Sequence, residues 1–234
     1  MDDAEGRYLH RTIEALKFAS PFCLATFFEN GLAHCIEASM SGAAVLTRHR
    51  IKAKAVPCCV GGNNNAEALS LSLGMTRRQV YDRFDKRTPN LPSVEEWVST
   101  HGQEDEQATP LHMVIKAEFA GEHAIIDLTF GQVRAKGCKD APLHLAVYEK
   151  DWFQFDRGNW TFGYMDCPHK ADVWAIDAIR NYKDPTYENV LNNLVELALQ
   201  CDLDIDDFFE AVQRNFPDEY RASIERMNEL MGPG

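Results

Sequence analysis

The sequence predicts an α+β fold, with a core helix packed on an antiparallel sheet and a helical layer toward the C-terminus. Three patterns carry that prediction. Apolar residues recur at helical spacing near both ends of the chain. A run of small residues opening at Cys35 fits a helix thin enough to lie close against a sheet. Residues 111–130 alternate on either side of a turn at Ala120-Gly121. With 234 residues, 45% of them apolar, the chain can build one core without covalent staples. Residues 1–170 are assigned to the core and 171–234 to a helical extension packed on the same domain.

In chain order, Leu9, Ile13 and Leu16 mark a helix over 4–19, and Ser20-Pro21 is expected to end it. An apolar stretch through Phe28 then leads to a turn at Glu29-Asn30-Gly31. The core helix covers 35–49 and carries Ala38, Ser39, Ser41, Gly42, Ala43 and Ala44. A strand over 51–60 follows, built on Ile51, Ala53, Ala55, Val56 and Val60, and Gly61-Gly62-Asn63-Asn64-Asn65 reads as a loop. Thr76 caps a short helix to about Phe84. Ser93-Val94-Glu95-Glu96 fits a capping box for another that carries Trp97. An acidic loop spans 101–110 and reads as a solvated connector, with gating of a site as the alternative. Strands are expected over 111–118, 123–130 and 143–148, then an irregular Trp-rich segment over 151–170. Helices are expected over 171–181, 186–200, 204–214 and 218–230, with Pro185 and Pro217 at helix starts.

Charge and composition narrow the function. A net charge of −12 makes the chain a poor general partner for nucleic acid or anionic lipid. No apolar run approaches the ~18 residues of a membrane span. Met-Asp-Asp-Ala-Glu-Gly at the N-terminus lacks the features of a signal peptide, so the expected location is cytoplasmic. The seven cysteines are odd in number and form no C-x-x-C, which argues against a disulfide framework.

One arrangement carries chemistry. A tight turn at Ala120-Gly121 sets Met113 opposite Leu128, Ile115 opposite Ile126 and Ala117 opposite Ala124, a continuous apolar face. The other face then sets His112 opposite Thr129 and Val114 opposite Asp127. His112 and Asp127 become diagonal neighbours, near enough for a carboxylate to hold an imidazole. A thiol nucleophile needs a stabilised thiolate, a base and oxyanion donors. Cys35, opening a helix, meets the positive end of the macrodipole and offers its own N–H. The expected roles are Cys35 as nucleophile, His112 as base and Asp127 as its orienting acid. Asn30 is the candidate for a second oxyanion donor.

These residues resemble the blocks of transglutaminase-like proteins. Cys35 opens a helix that runs to Ala43-Ala44-Val45-Leu46, followed by Ile51-Lys52-Ala53-Lys54-Ala55-Val56. His112-Met113-Val114-Ile115 resembles the second block, where the histidine opens a strand. Ile125-Ile126-Asp127-Leu128-Thr129 resembles the third. The order Cys, His, Asp and the fourteen residues between His112 and Asp127 agree with it. The likeness covers roughly residues 30–60 and 110–132. It departs from the pattern at Val114, where an aromatic is common, at Leu128, where proline is usual, and at Ala33, often glycine. The wider papain-like superfamily, which includes arylamine acetyltransferases, shares the triad. The long C-terminal helical part resembles bacterial members of that superfamily. The resemblance implies a papain/transglutaminase-like core with a capped catalytic helix. It implies a thiol hydrolase (a cysteine peptidase or amidase) or an acyltransferase, acting on an amide, peptide or thioester bond of a small-molecule, peptide or protein substrate. It requires no cofactor and no metal.

Alternatives stand beside this reading. The chain could be a binding module of the same fold without turnover. Cys58-Cys59, or Asp166-Cys167-Pro168-His169, could ligate a metal, although adjacent strand residues face opposite ways and the proline explains a turn. Trp152, Trp160 and Trp174 with Phe153, Phe155 and Phe162 fit either a substrate cleft or a packed core. His34, next to Cys35, is poorly placed as a base.

Overall fold

The computed structural model describes residues 3–27, 34–64, 69–73, 112–136, 138–165, 182, 184–217 and 223–224. Among them are four α-helices and seven strands in antiparallel pairs, an α+β arrangement. Helix α1 spans Asp3–Phe27 and α2 spans Cys35–Arg48. Strands β1 (Lys52–Asn64), β2 (Leu69–Leu73), β3 (His112–Phe119), β4 (Glu122–Asp127), β5 (Leu145–Val147), β6 (Gln154–Arg157) and β7 (Trp160–Met165) follow. A 3-10 segment, Phe130–Lys136, links β4 to the rest. Helices α3 (Pro185–Gln200) and α4 (Ile205–Asn215) complete the described elements.

Strand β1 joins two ladders. Its first half pairs with β3, which continues to β4 and β5. Its second half pairs with β7, which continues to β6, and with β2. Both ladders on β1 run without a break in register, so its side chains alternate throughout. Ala53 and Ala55 face α2 and the main core. Val56, Cys58 and Val60 face a second core made of Val114, Ile125, Phe130, Trp160, Phe162 and Tyr164.

The main core lies between α1, α2, α3 and one face of β3–β4. Leu9, Ile13, Leu16, Leu46, Ile115, Ile126, Leu191 and Leu194 are fully buried in it. The small residues of α2 allow this closeness. A Cβ at Gly42 would stand 2.6 Å from Ile115 Cδ1 and 2.9 Å from Leu128 Cδ1, and Ser39 Oγ donates to the Met113 carbonyl at 2.9 Å.

The β3–β4 hairpin has the expected register, with Ile115 paired to Ile126 and Ala117 to Ala124. Its turn places Ala120 at φ 51° and Gly121 at φ 85°. Left-handed dihedrals at both turn residues match the twist of a two-residue hairpin.

Several expectations are corrected. Helix α1 passes through Pro21 and ends at Phe27. The proline forfeits one backbone bond, but Phe22, Cys23, Leu24 and Ala25 are all buried beyond it, and their burial outweighs that loss. Strand β1 continues through Gly61, Gly62, Asn63 and Asn64, which read as a loop, because β2 and β7 pair with that stretch. Strand β4 stops at Asp127 rather than 130, since the Asp127 carboxylate takes the Thr129 N–H and turns the chain away. The 151–170 segment contains the β6–β7 hairpin. Helix α2 has no side-chain cap: His34 is its N-cap residue and makes no capping hydrogen bond from its ring, which instead lies 3.6 Å from Glu37.

Pro185 does open α3, behind an Asp184 cap that accepts from the Tyr187 N–H. The expected helices near 76–84, at Ser93, over 171–181 and, apart from 223–224, over 218–230 fall outside the described residues, as does the 101–110 loop. Among the described residues, no helix is long and apolar enough to cross a membrane.

Candidate active site

His112 opens β3 and Asp127 closes β4, so the hairpin register brings them to the same end of two adjacent strands. His112 Nε2 lies 2.6 Å from Asp127 Oδ2, and both side chains are 1% exposed. The diagonal pairing read from the sequence is therefore a direct contact.

Asp127 is held on every side. Its Oδ1 accepts the Thr129 N–H at 2.9 Å, with the Thr129 hydroxyl at 3.4 Å. Its Oδ2 accepts the Tyr164 hydroxyl at 2.7 Å as well as His112. A buried carboxylate needs such donors, because leaving it bare in a low dielectric costs several kcal/mol. Tyr164 comes from β7, on the far side of β1 from β3, and shares the face of His112 and Cys58. Burial, then Asp127, holds its hydroxyl pKa well above the usual range, so it remains a donor.

Cys35 approaches from the opposite face. It opens α2 and packs against Met113 with Ile36, Met40 and Ala55 nearby. Nε2 of His112 is committed to Asp127, leaving Nδ1 for the thiol. No hydrogen bond of standard length reaches Nδ1, yet the thiol is near enough to perturb the ring. Burial works against the imidazolium. Asp127, through charge and hydrogen bond, and then Cys35, through the same two effects, outweigh it and push His112 up to about 10. A loose thiol–imidazole approach is common in sites without substrate. Of the three side chains, Cys35 keeps the most exposure, at 7%.

No protein-family model, curated protein or solved structure matches this chain. What the site can do rests on its own chemistry.

The remaining expected residues divide clearly. Asn30 and Ala33 lie outside the described residues, as do Cys167, His169 and Trp174. His34 belongs to the surface of the first turn of α2, beside Glu37. Cys58 is fully buried opposite His112. No group of three or more His, Cys, Asp or Glu side chains among the described residues is arranged for a metal. Trp160 stacks on Phe162 at 5.7 Å and Phe153 on Tyr164 at 4.9 Å, so these aromatics form the second core. Trp152 lies under the Lys116 ammonium, 3.8 Å from its ring centroid.

Tyr164 and Thr129 were not recognised from sequence as parts of the site. Thr129 was legible in principle, since an Asp-x-Thr at a strand end is an Asx-turn pattern. Tyr164 carried no local signal. Its place depends on β7 pairing with β1, a contact about one hundred residues apart.

Proposed function

We propose that the chain is a thiol hydrolase or acyltransferase with a papain/transglutaminase-like core. It acts on an amide, peptide or thioester bond of a small-molecule, peptide or protein substrate. The observation that carries this reading is the buried His112–Asp127 pair at 2.6 Å, with the helix-opening thiol of Cys35 influencing the other side of the ring.

In the proposed cycle, Cys35 gives its proton to His112, and Asp127 steadies the resulting imidazolium. The thiolate attacks the substrate carbonyl carbon, a C–S bond forms, and the carbonyl electrons move to oxygen. The N–H of Cys35, at the positive end of α2, faces that oxyanion. As the intermediate collapses, His112 returns its proton to the leaving amine or thiol, and the scissile bond breaks. Water or an amine then attacks the thioester, gives a proton to His112 and frees the thiol. No step needs a metal or organic cofactor.

A second reading, a binding module of the same fold without turnover, is favoured by the burial of all three side chains. Acetylation by p-nitrophenyl acetate separates the two. The enzymatic reading predicts a nitrophenolate burst stoichiometric with protein, an acetyl group mapped to Cys35 by mass spectrometry, and neither in Cys35→Ser. Absence of the burst, or acetyl spread over several thiols, contradicts it.

A further inference from the structure

Two side chains meet at one oxygen. Asp127 Oδ2 takes His112 Nε2 at 2.6 Å and the Tyr164 hydroxyl at 2.7 Å. Strand β1 sets both partners. His112 is the cross-strand partner of Cys58, and Tyr164 is that of Val60. Cys58 and Val60 lie two residues apart on one face of β1, so the ring and the hydroxyl take their positions from the same strand. Asp127 does not. It pairs with Leu145 of β5, and the β3–β4 ladder ends at Ile115 and Ile126, one position short of it. Its carboxylate is therefore aimed by side-chain contacts.

The Thr129 N–H anchors Oδ1 at 2.9 Å. A carboxylate tethered at one oxygen can still swing about χ2, whose preferences are broad. A donor on Oδ2 removes that freedom. The Tyr164 ring is itself fixed. It stacks on Phe153 with centroids 4.9 Å apart, and its backbone N–H donates to the Phe153 carbonyl at 2.9 Å. Packing does not call for the hydroxyl. The other aromatics of the second core are Phe130, Phe153, Phe155 and Phe162 with Trp152 and Trp160. A phenylalanine at 164 would fill the core with no buried polar atom to satisfy.

We propose that Tyr164 is a positioning residue of the thiol site, whose hydroxyl fixes the Asp127 carboxylate so that Oδ2 holds His112 Nε2 and leaves Nδ1 turned to Cys35. The role rests on the thiol-enzyme reading and deepens it, since the proposed cycle gives Tyr164 no part. Tyr164 acts through Asp127 on the ring, and through the ring on the thiol. The titratable groups around the pair are Tyr164 of β7, Cys58 of β1, Cys35 of α2 and, just ahead of β5, His144 with Lys17 and Glu14 of α1 beside it. Burial, then Lys17, pushes His144 down to about 4, and burial, then Asp127, holds the Tyr164 hydroxyl far above its usual range. Neither changes charge near neutral pH, so a change in the pH profile of the thiol there reports on the thiol–imidazole pair.

The test follows iodoacetamide modification of Cys35 between about pH 6 and about pH 9. It compares the wild type, Tyr164→Phe and Phe162→Leu at a temperature where all three are folded. Phe162 stacks on Phe155 and Trp160 in the same core. Its truncation costs stability without removing a hydrogen bond from Asp127. In the wild type the rate should be nearly level across the window. In Y164F it should be roughly 5-fold lower at the acid end and should rise with pH until the gap closes at the alkaline end. F162L should keep the level profile. A Y164F profile of the same shape as the wild type's overturns the positioning role. So does a rising profile in F162L, which would make the effect one of general loosening. If Cys35 of the wild type holds no lead over the other thiols, the thiol-enzyme reading fails. The positioning role is then judged by the NMR resonance of the His112 Nε2 proton. It should lie downfield in the wild type and F162L and should shift or broaden in Y164F, and an unchanged resonance in Y164F overturns the role.

Discussion

Asp127 accepts from a histidine, a tyrosine and a backbone N–H within 2.9 Å, and the reactivity proposed for Cys35 depends on that balance. Hydrogen bonds to a charged group are worth about 1.5–3 kcal/mol. Tyr164→Phe should therefore lower the unfolding free energy by roughly 2 kcal/mol in urea titrations. It should also slow Cys35 alkylation several-fold, because a less constrained Asp127 holds His112 less firmly. His112 imposes a pH dependence whose sign is fixed. Its pKa is raised in the folded state, to about 10, against about 6.5 unfolded. Its contribution to stability is fully present below about pH 6.5 and is lost as pH rises through about 10. Urea midpoints should fall across that window in the wild type and change less in His112→Gln. Sequence reasoning reached His112 and Asp127 because an apolar pairing pattern forces their proximity. It did not reach Tyr164, whose partner is set by strands far apart in sequence.

Among the elements, the hairpin was legible and the ends of neighbouring elements were not. Ile115–Ile126 and Ala117–Ala124 encode their register locally, since a one-residue slip would expose the whole face. The continuation of α1 past Pro21 and of β1 through Gly61–Asn64 was decided by partners. Buried Phe22 and Leu24 hold the helix, and β2 and β7 hold the strand. Local propensity yields to such contacts. The small-residue run of α2 was legible as a close-packing face, and Gly42 shows how tight it is. Gly42→Val would press into Ile115 and Leu128. Overpacking of this kind costs about 1–3 kcal/mol, so its thermal midpoint should drop by several degrees. The thiol sits on the same helix, and its selective alkylation should weaken in parallel.

At the scale of the molecule, α3 shares the main core. Tyr187, Leu191, Leu194, Val195 and Ala198 of α3 are buried in the core that contains α1 and α2. Leu194→Ala should cost about 2–5 kcal/mol, and calorimetry should show one transition in which the α2 site and α3 unfold together. This long-range closure is what gathers Cys35, His112 and Asp127 from three separate elements into one place. The sequence placed His112 beside Asp127 through the hairpin and Cys35 at a helix start, while the packing that closes around them is a property of the whole chain. The most direct measurement is the rate of iodoacetamide modification at each cysteine at pH 6, mapped by mass spectrometry. Burial pushes the thiol pKa values of Cys23 and Cys138 up, and both should be inert. Cys35 should react at least about 10-fold faster than either, and His112→Gln should abolish that lead while the protein stays folded. Uniform rates, or a Cys35 rate indifferent to His112, would contradict a thiol–imidazole pair.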